Sequence, residues 1–254
     1  HNPLLEELIL PMCYIKYPDI SRCPALRVIN LSHGRGDMPD FSGFGELRLL
    51  DVSHDNSGRL QPVDVSGCPY LEELNVDASV SSLSELRNNP NLKVLRASWC
   101  TGVDPDLSAV PLLEEYERIS CDLRSLDVSG LRNLKSLTVS DNPLGSLDLS
   151  SMTGLERLVC NSCNLTELDV SACPLLRWLI CGGNRIRTLD LSHNPHFEGP
   201  NGDDITGLYC SPMNDADGNN GLENLYVPKG KNIPGVTENR STDHVPAGTK
   251  IVAK

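Results

Sequence analysis

The run Leu176-Arg177-Trp178-Leu179-Ile180-Cys181-Gly182-Gly183-Asn184-Arg185-Ile186, continued by Arg187-Thr188-Leu189-Asp190-Leu191-Ser192, decides how this chain is read. Leu179 and Cys181 stand two apart, the alternation of a strand with one buried face, and Leu189-Asp190-Leu191 alternates likewise. One coil earlier the same pattern reads Leu155, Leu158, Cys160, Cys163, Leu165, Leu168, Asp169, Val170, Ser171. Working outward, the reference position is Leu8, Ile29, Leu50, Leu74, Leu95, Tyr116, Leu137, Leu158 and Leu179, at intervals of 21, 21, 24, 21, 21, 21, 21 and 21 residues. A short fixed period marks a solenoid, in which each coil rests on its neighbours. So short a coil has no room for a long helix, so it predicts a strand on one side and an extended or 3-10 segment on the other.

Asp-x-Ser keeps the same register: Asp19, Asp40, Asp64, Asp106, Asp127, Asp148, Asp169 and Asp190 each stand two before a serine, and one coil has Glu85-Leu86 instead. Three extra residues fall within 54–62 and eight within 196–204, before Leu208-Tyr209-Cys210. The expectation is about ten coils over residues 1–227, a ladder roughly 45–50 Å long at the ~4.8 Å spacing of strands. From Pro228 the pattern stops. Residues 228–254, with Val245-Pro246 and Thr249-Lys250-Ile251-Val252 as short strands, read as a C-terminal β-type cap over the last open edge. Leu4, Leu5 and Leu8 open directly onto the first coil. The sequence therefore predicts that a cap, domain or anchor precedes it, or that a second copy self-associates through this uncapped coil.

These residues resemble the leucine-rich repeat family. The consensus Leu-x-x-Leu-x-(Leu/Cys)-x-x-Asn-x-Leu-x-x-Leu-Asp-(Leu/Val) is similar to the 21-residue nested (IRREKO-type) class of bacterial surface and secreted proteins, over roughly residues 4–227. The resemblance implies a right-handed, curved, mostly β solenoid with a parallel concave sheet. It also implies non-catalytic binding of a protein or glycan, in an extracellular or cell-envelope location. A structural spacer carrying an N-terminal domain or anchor is the alternative.

Composition narrows the partners. The formal net charge is −12, which argues against nucleic acid and against an anionic membrane, since both need a basic footprint. No apolar run approaches the ~18 residues of a membrane span, and no signal peptide is visible at His1. No nucleophile–base set, Gly-rich phosphate loop or convincing ligand cluster stands out, so neither enzyme nor cofactor is expected. Asp215, Asp217 and Asn219 match the opening of a calcium loop, but Asn220 stands where its glycine belongs and Tyr226 where its closing glutamate belongs. Residues 214–221 therefore read as an excursion between coils.

All ten cysteines fall on repeat positions. Cys160, Cys181 and Cys210 sit two after the reference residue, pointing into the core. Cys13, Cys100, Cys121 and Cys163 sit five after it, where Asn142 and Asn184 stand in other coils. A small buried thiol can fill that asparagine slot. Cys23, Cys68 and Cys173 precede prolines in the turn after Asp-x-Ser. Reduced structural thiols are the preferred reading, over a Cys160–Cys163 metal pair or a Cys100–Cys121 disulfide. The aspartate row is assigned to turn hydrogen bonding rather than to a cation row, because nearly every coil needs it.

Specificity is expected where coils differ, at the positions flanking the buried reference residue. Asn30, Asp51, Asn75 and Arg96 form one expected binding row, with Asp77 outward beside it. His33 and His54 should stack alongside, with Trp99 further on. Trp178, Ile180 and Tyr209 make a second, more apolar stretch, and Arg157 and Glu117 are read as local charge partners.

Overall fold

From Ile29 to Leu179 every reference residue is buried to 1 % exposure or less, and within each of two units these residues lie beneath one another in register. The computed structural model describes residues 2–55, 61–83, 86–100, 106–196, 208–210, 222–227 and 249–253. The chain divides into two units, His1–Cys121 and Asp122–Lys254, and each is a parallel-sheet β-solenoid.

In the first unit the strands are β1 (Glu7–Ile9), β2 (Val28–Asn30), β3 (Leu49–Asp51), β4 (Gln61–Val63), β5 (Glu73–Asn75), β6 (Val80–Leu83), β7 (Val94–Arg96) and β8 (Glu115–Glu117). β1, β2, β3, β5, β7 and β8 pair in parallel in that order, Leu8 against Ile29, then Leu50, Leu74, Leu95 and Tyr116. On the return side β4 pairs with β6, and two short 3-10 helices, Leu86–Asn88 and Leu107–Ala109, complete the coils. Gln61 there accepts from Met38 N and donates to Gly36 O and Asp55.

In the second unit β9 (Ser136–Thr138), β10 (Arg157–Val159), β11 (Trp178–Ile180) and β13 (Leu208–Tyr209) form the main ladder, with Leu137, Leu158, Leu179 and Leu208 in one column. A return-side ladder joins β12 (Thr188–Asp190), β14 (Asn224–Val227) and β15 (Lys250–Ala253). Val245-Pro246 and the 214–221 segment lie outside the described residues.

Strands β1, β2, β3, β5, β7, β8, β9, β10 and β11 are each three residues long because the chain turns at a fixed place. Four residues after the reference stand Met12, His33, His54, Ala78, Trp99, Ser120, Asp141, Ser162 and Gly183, all in the left-handed region with φ between 52° and 67°. Each non-glycine residue there costs roughly 1–2 kcal/mol, offset by ladder bonds such as His33 N to Ser53 O (2.8 Å) and Trp99 N to Ile119 O (2.7 Å).

Polar columns hold the coils in register. In all eight Asp-x-Ser turns the serine N–H donates to the aspartate Oδ1 at 2.8–3.0 Å. Hydrogen bonds from Ser129 hold the exposed Asp127 carboxyl below its usual 3.8, and serine bonding does the same at Asp19, Asp40, Asp106, Asp148 and Asp169. The asparagine slot behaves as read. Asn184 accepts from Cys163 N and Leu165 N (2.9 and 3.0 Å) and donates to Cys160 O and Cys181 O (2.8 and 2.9 Å). Cys121 copies it with weaker bonds, donating to Ala97 O and Ile119 O at 3.3 and 3.2 Å and accepting from Cys100 N at 3.4 Å.

Burial pushes the thiols up, to about 11 at Cys68, Cys163 and Cys173 and about 12 at Cys210, so they stay protonated and poor at metal binding. All ten cysteines are free. Two depart from the expected burial, Cys13 exposed and Cys210 half-buried, and both follow end strands of their ladders, β1 and β13, each paired on one side only. On the first coil Leu4 is 84 % exposed, with Ile9, Met12 and Ile15 also exposed. The core column two after the reference, apolar at Leu31, Val52, Val76, Ala97 and Val139, also contains the fully buried Arg118. A core arginine was not anticipated.

Candidate functional site

Residues one before and one after the reference column face away from the core. In the first unit they are Glu7, Val28, Leu49, Glu73, Val94 and Glu115 on one side and Ile9, Asn30, Asp51, Asn75, Arg96 and Glu117 on the other, all exposed or half-buried. The expected row Asn30, Asp51, Asn75, Arg96 exists, in strict register.

Much of that row is engaged internally. Asn30 Oδ1 accepts from Ser32 N and Oγ (3.1 and 2.9 Å), Asp51 Oδ1 from Ser53 N and Oγ (3.0 and 2.7 Å), and Asn75 Oδ1 from Asp77 N (3.2 Å). These are the Asp-x-Ser turn again, at the strand end. Asn30 Nδ2 also donates to Asp51 Oδ2 (3.4 Å). Arg96 is ion-paired to Glu115 at 2.7 Å.

Asp77 is corrected outright. It is 7 % exposed, as are the neighbouring column members Ser32, Ser53 and Ser98 or less. Its Oδ1 accepts from Ser98 N at 2.6 Å, and Ser98 Oγ accepts from Ile119 N at 3.1 Å. The third residue after the reference thus bridges one coil to the next, and burial raises the Asp77 carboxyl above its usual value.

The side chains that do reach outward form a strip beside the sheet. Tyr14 meets His33 edge-on (5.7 Å between ring centres), His33 lies against His54 (5.0 Å), and His54 meets Trp99 (6.2 Å). The small Ala78 lies in the coil between His54 and Trp99, so those two rings lean together over it. Tyr14 is 54 % and Trp99 47 % exposed. The strip's residues come from coils four steps apart, about 19 Å along the backbone ladder. The His33–His54–Trp99 row was legible in the repeat; Tyr14 was not, because it sits six after its reference residue, off the column. Its signal was a left-handed backbone, φ 52°, which no sequence pattern announces.

The second unit's face differs. Ser136, Thr138, Arg157, Val159, Trp178 and Ile180 flank its reference leucines, with Tyr209 paired to Ile180; the Tyr209 side chain lies outside the described residues. The Arg157 guanidinium lies over the Trp178 ring at 6.0 Å and donates to Thr138 Oγ1 at 3.0 Å. The Trp178 indole N–H has no acceptor among the described residues. The charge-partner reading of Arg157 and Glu117 is therefore replaced: Arg157 bonds a hydroxyl and an indole ring, and Glu117 accepts from Ser98 Oγ (3.4 Å). In the first unit, besides Arg96–Glu115, ion pairs lie one column further out, where Glu72 binds Arg48 (2.8 Å) and Lys93 (2.7 Å). Hydrogen bonds from Lys93 and then Arg48 hold the Glu72 carboxyl down.

Among solved structures, a leucine-rich repeat protein of Leptospira interrogans matches with TM-score 0.59 and 16 % identity, over 82 % of this chain and 62 % of that one. An internalin of Listeria monocytogenes matches with TM-score 0.56 and 17 % identity, over 89 % of this chain and 74 % of that one. The fold is that of the leucine-rich repeat proteins. The ectodomain of the Arabidopsis receptor kinase HAESA, solved with a peptide hormone ligand, shares it at TM-score 0.55 and 17 % identity, over 84 % of this chain and 41 % of the receptor chain. The chain spans less than two thirds of the Leptospira chain's length. No family model matches the chain, and no curated protein matches its sequence. No helix among the described residues is long and apolar enough to cross a membrane.

Proposed function

We propose that this chain is a non-catalytic binding module of a bacterial surface or secreted leucine-rich repeat protein of the 21-residue class, holding its ligand on the outward sheet face of the first unit. The Tyr14–His33–His54–Trp99 strip carries this reading. The chain is only 4 % aromatic, yet two of its exposed rings and two imidazoles are gathered in one continuous strip beside a sheet face. Half-buried Val28, Leu49 and Val94 on the same unit's outward sheet face favour a protein over a glycan. A receptor ectodomain of this fold was solved with a peptide hormone ligand, which supports a peptide or protein as the ligand class. We further propose that β15 caps the return-side ladder.

The test is a glycan array and a panel of extracellular proteins probed with the chain and its Trp99→Ala variant. Ligands retained by the chain and lost by the variant support the reading; a ligand whose affinity is indifferent to Trp99, Tyr14 and His54 would sink it.

A further inference from the structure

We infer that the first unit's outward face docks an extended cationic segment of a partner protein, one that sets Lys or Arg among apolar or small residues. The inference rests on the binding reading above and names the chemistry of the ligand.

The two rows facing outward in the first unit carry five carboxylates, Glu7, Asp51, Glu73, Glu115 and Glu117, against one guanidinium, Arg96. Arg96 is already neutralised by Glu115 at 2.7 Å. Glu7 and Glu73 are exposed and have no ion-pair partner among the described residues, so they present acceptors that a cation can take without breaking a bond. Val28 and Leu49 stand between them in the same row, and Val94 stands between Glu73 and Glu115. The row therefore sets carboxylates among apolar residues, and its complement is a segment that sets Lys or Arg among apolar or small residues.

The strip supplies the second half of the argument. Exposed Tyr14 and Trp99 faces attract ammonium and guanidinium groups through the ring quadrupole, and along each coil they follow the row that holds Asp51 and Glu117. The carboxylates do not converge as metal ligands: no group of three or more His, Cys, Asp or Glu among the described residues could hold an ion. An anionic ligand would meet like charge on the face and a net charge of −12 on the chain, whereas a cationic one is steered toward it. The second unit's ladder offers the internal control, since its flanking rows Ser136, Thr138, Arg157, Val159, Trp178 and Ile180 contain no carboxylate.

The chain has two tryptophans, one on each face, so Trp178→Phe leaves Trp99 as the sole indole reporter. This variant is titrated with an octapeptide alternating Lys with Val or Thr, with its Glu counterpart and with a neutral Ser counterpart, at low and high salt, following Trp99 emission. Calorimetry on the parent chain gives affinities for the substitutions. The Lys peptide is expected to perturb Trp99 and to weaken roughly tenfold between low and high salt, while the Glu peptide does not bind. Glu7→Gln with Glu73→Gln should weaken the Lys peptide by about threefold or more. Trp99→Ala should weaken it about thirtyfold with circular dichroism unchanged, since Ala78 already occupies the same backbone position. Equal binding of the Glu or Ser peptide, or a Lys-peptide affinity indifferent to the Glu7/Glu73 pair, overturns the inference. If a neutral or acidic segment binds and Trp99→Ala weakens it, the cationic assignment falls and the docking face survives. If Trp99→Ala leaves every affinity untouched, both fall.

Discussion

The two units share a scaffold and differ in what they show outward. Both stack reference residues in a buried column, both use Asp-x-Ser turns, and both fill the slot five after the reference with a donor to backbone carbonyls. Yet the first unit shows carboxylates flanked by an aromatic–imidazole strip, and the second shows Arg157 lying over Trp178. Recognition in a repeat protein belongs to the columns that may vary, and the scaffold columns are shared because each coil must satisfy the same backbone groups.

The sharpest way to break this comparison is through the shared scaffold. Asn184→Ala in the second unit removes two acceptor and two donor bonds at the turn and should lower unfolding free energy by about 3 kcal/mol. Cys121→Ala, at the equivalent slot of the first unit, removes weaker thiol bonds and should cost only about 1 kcal/mol. Urea titrations compare them, and equal losses would mean the thiol is a full substitute for the amide. Next in size is the contrast between faces. Trp99→Ala should weaken ligand binding about thirtyfold, roughly 2 kcal/mol, whereas Trp178→Ala should leave that affinity unchanged. Calorimetry with a ligand found by the panel measures both, and comparable losses would move the site.

A smaller effect separates strain from function. Ser162→Gly should stabilise by at most about 1 kcal/mol, because its left-handed backbone suits glycine, as Gly183 shows one coil on. His54→Gly relieves the same backbone but opens the strip, so stability should hold or rise while binding falls. Thermal melts paired with binding read this out, and His54→Gly binding as tightly as the parent would remove the strip from the site. The smallest effect is in pH. The Asp-x-Ser carboxylates titrate below their usual 3.8 in the folded chain, so their contribution is complete above that value and disappears as pH falls through the lower folded one. Asp77 is raised by burial and runs the other way: its desolvation opposes folding at neutral pH and is relieved on protonation. Asp77→Asn keeps an acceptor for Ser98 N and should raise stability near neutrality while leaving the acid limb in place; melts across pH 3–8 check this.

The site was half legible. Column positions follow from counting, so the alignment of His33, His54 and Trp99 could be expected from spacing alone. Asn30 and Asp51 were open to correction from the sequence itself. Asn30-Leu31-Ser32 and Asp51-Val52-Ser53 repeat the Asp-x-Ser grammar recognised elsewhere, and that grammar means a turn bond rather than a free side chain. Asp77 and Arg118 were not legible, because alternation predicts which way a residue points without saying what it meets there.

The columns follow from residue order alone. A period of 21 with a buried residue at its centre admits one register, because a shifted coil would place polar side chains against the leucines of its neighbours. Only the tertiary structure decided which polar columns face inward to bridge coils, and that Tyr14 joins the strip. It also decided that two rings close over Ala78. Those outcomes depend on distances between side chains of different coils, and hydrogen-bond partners and ring contacts are fixed by such distances rather than by order along the chain.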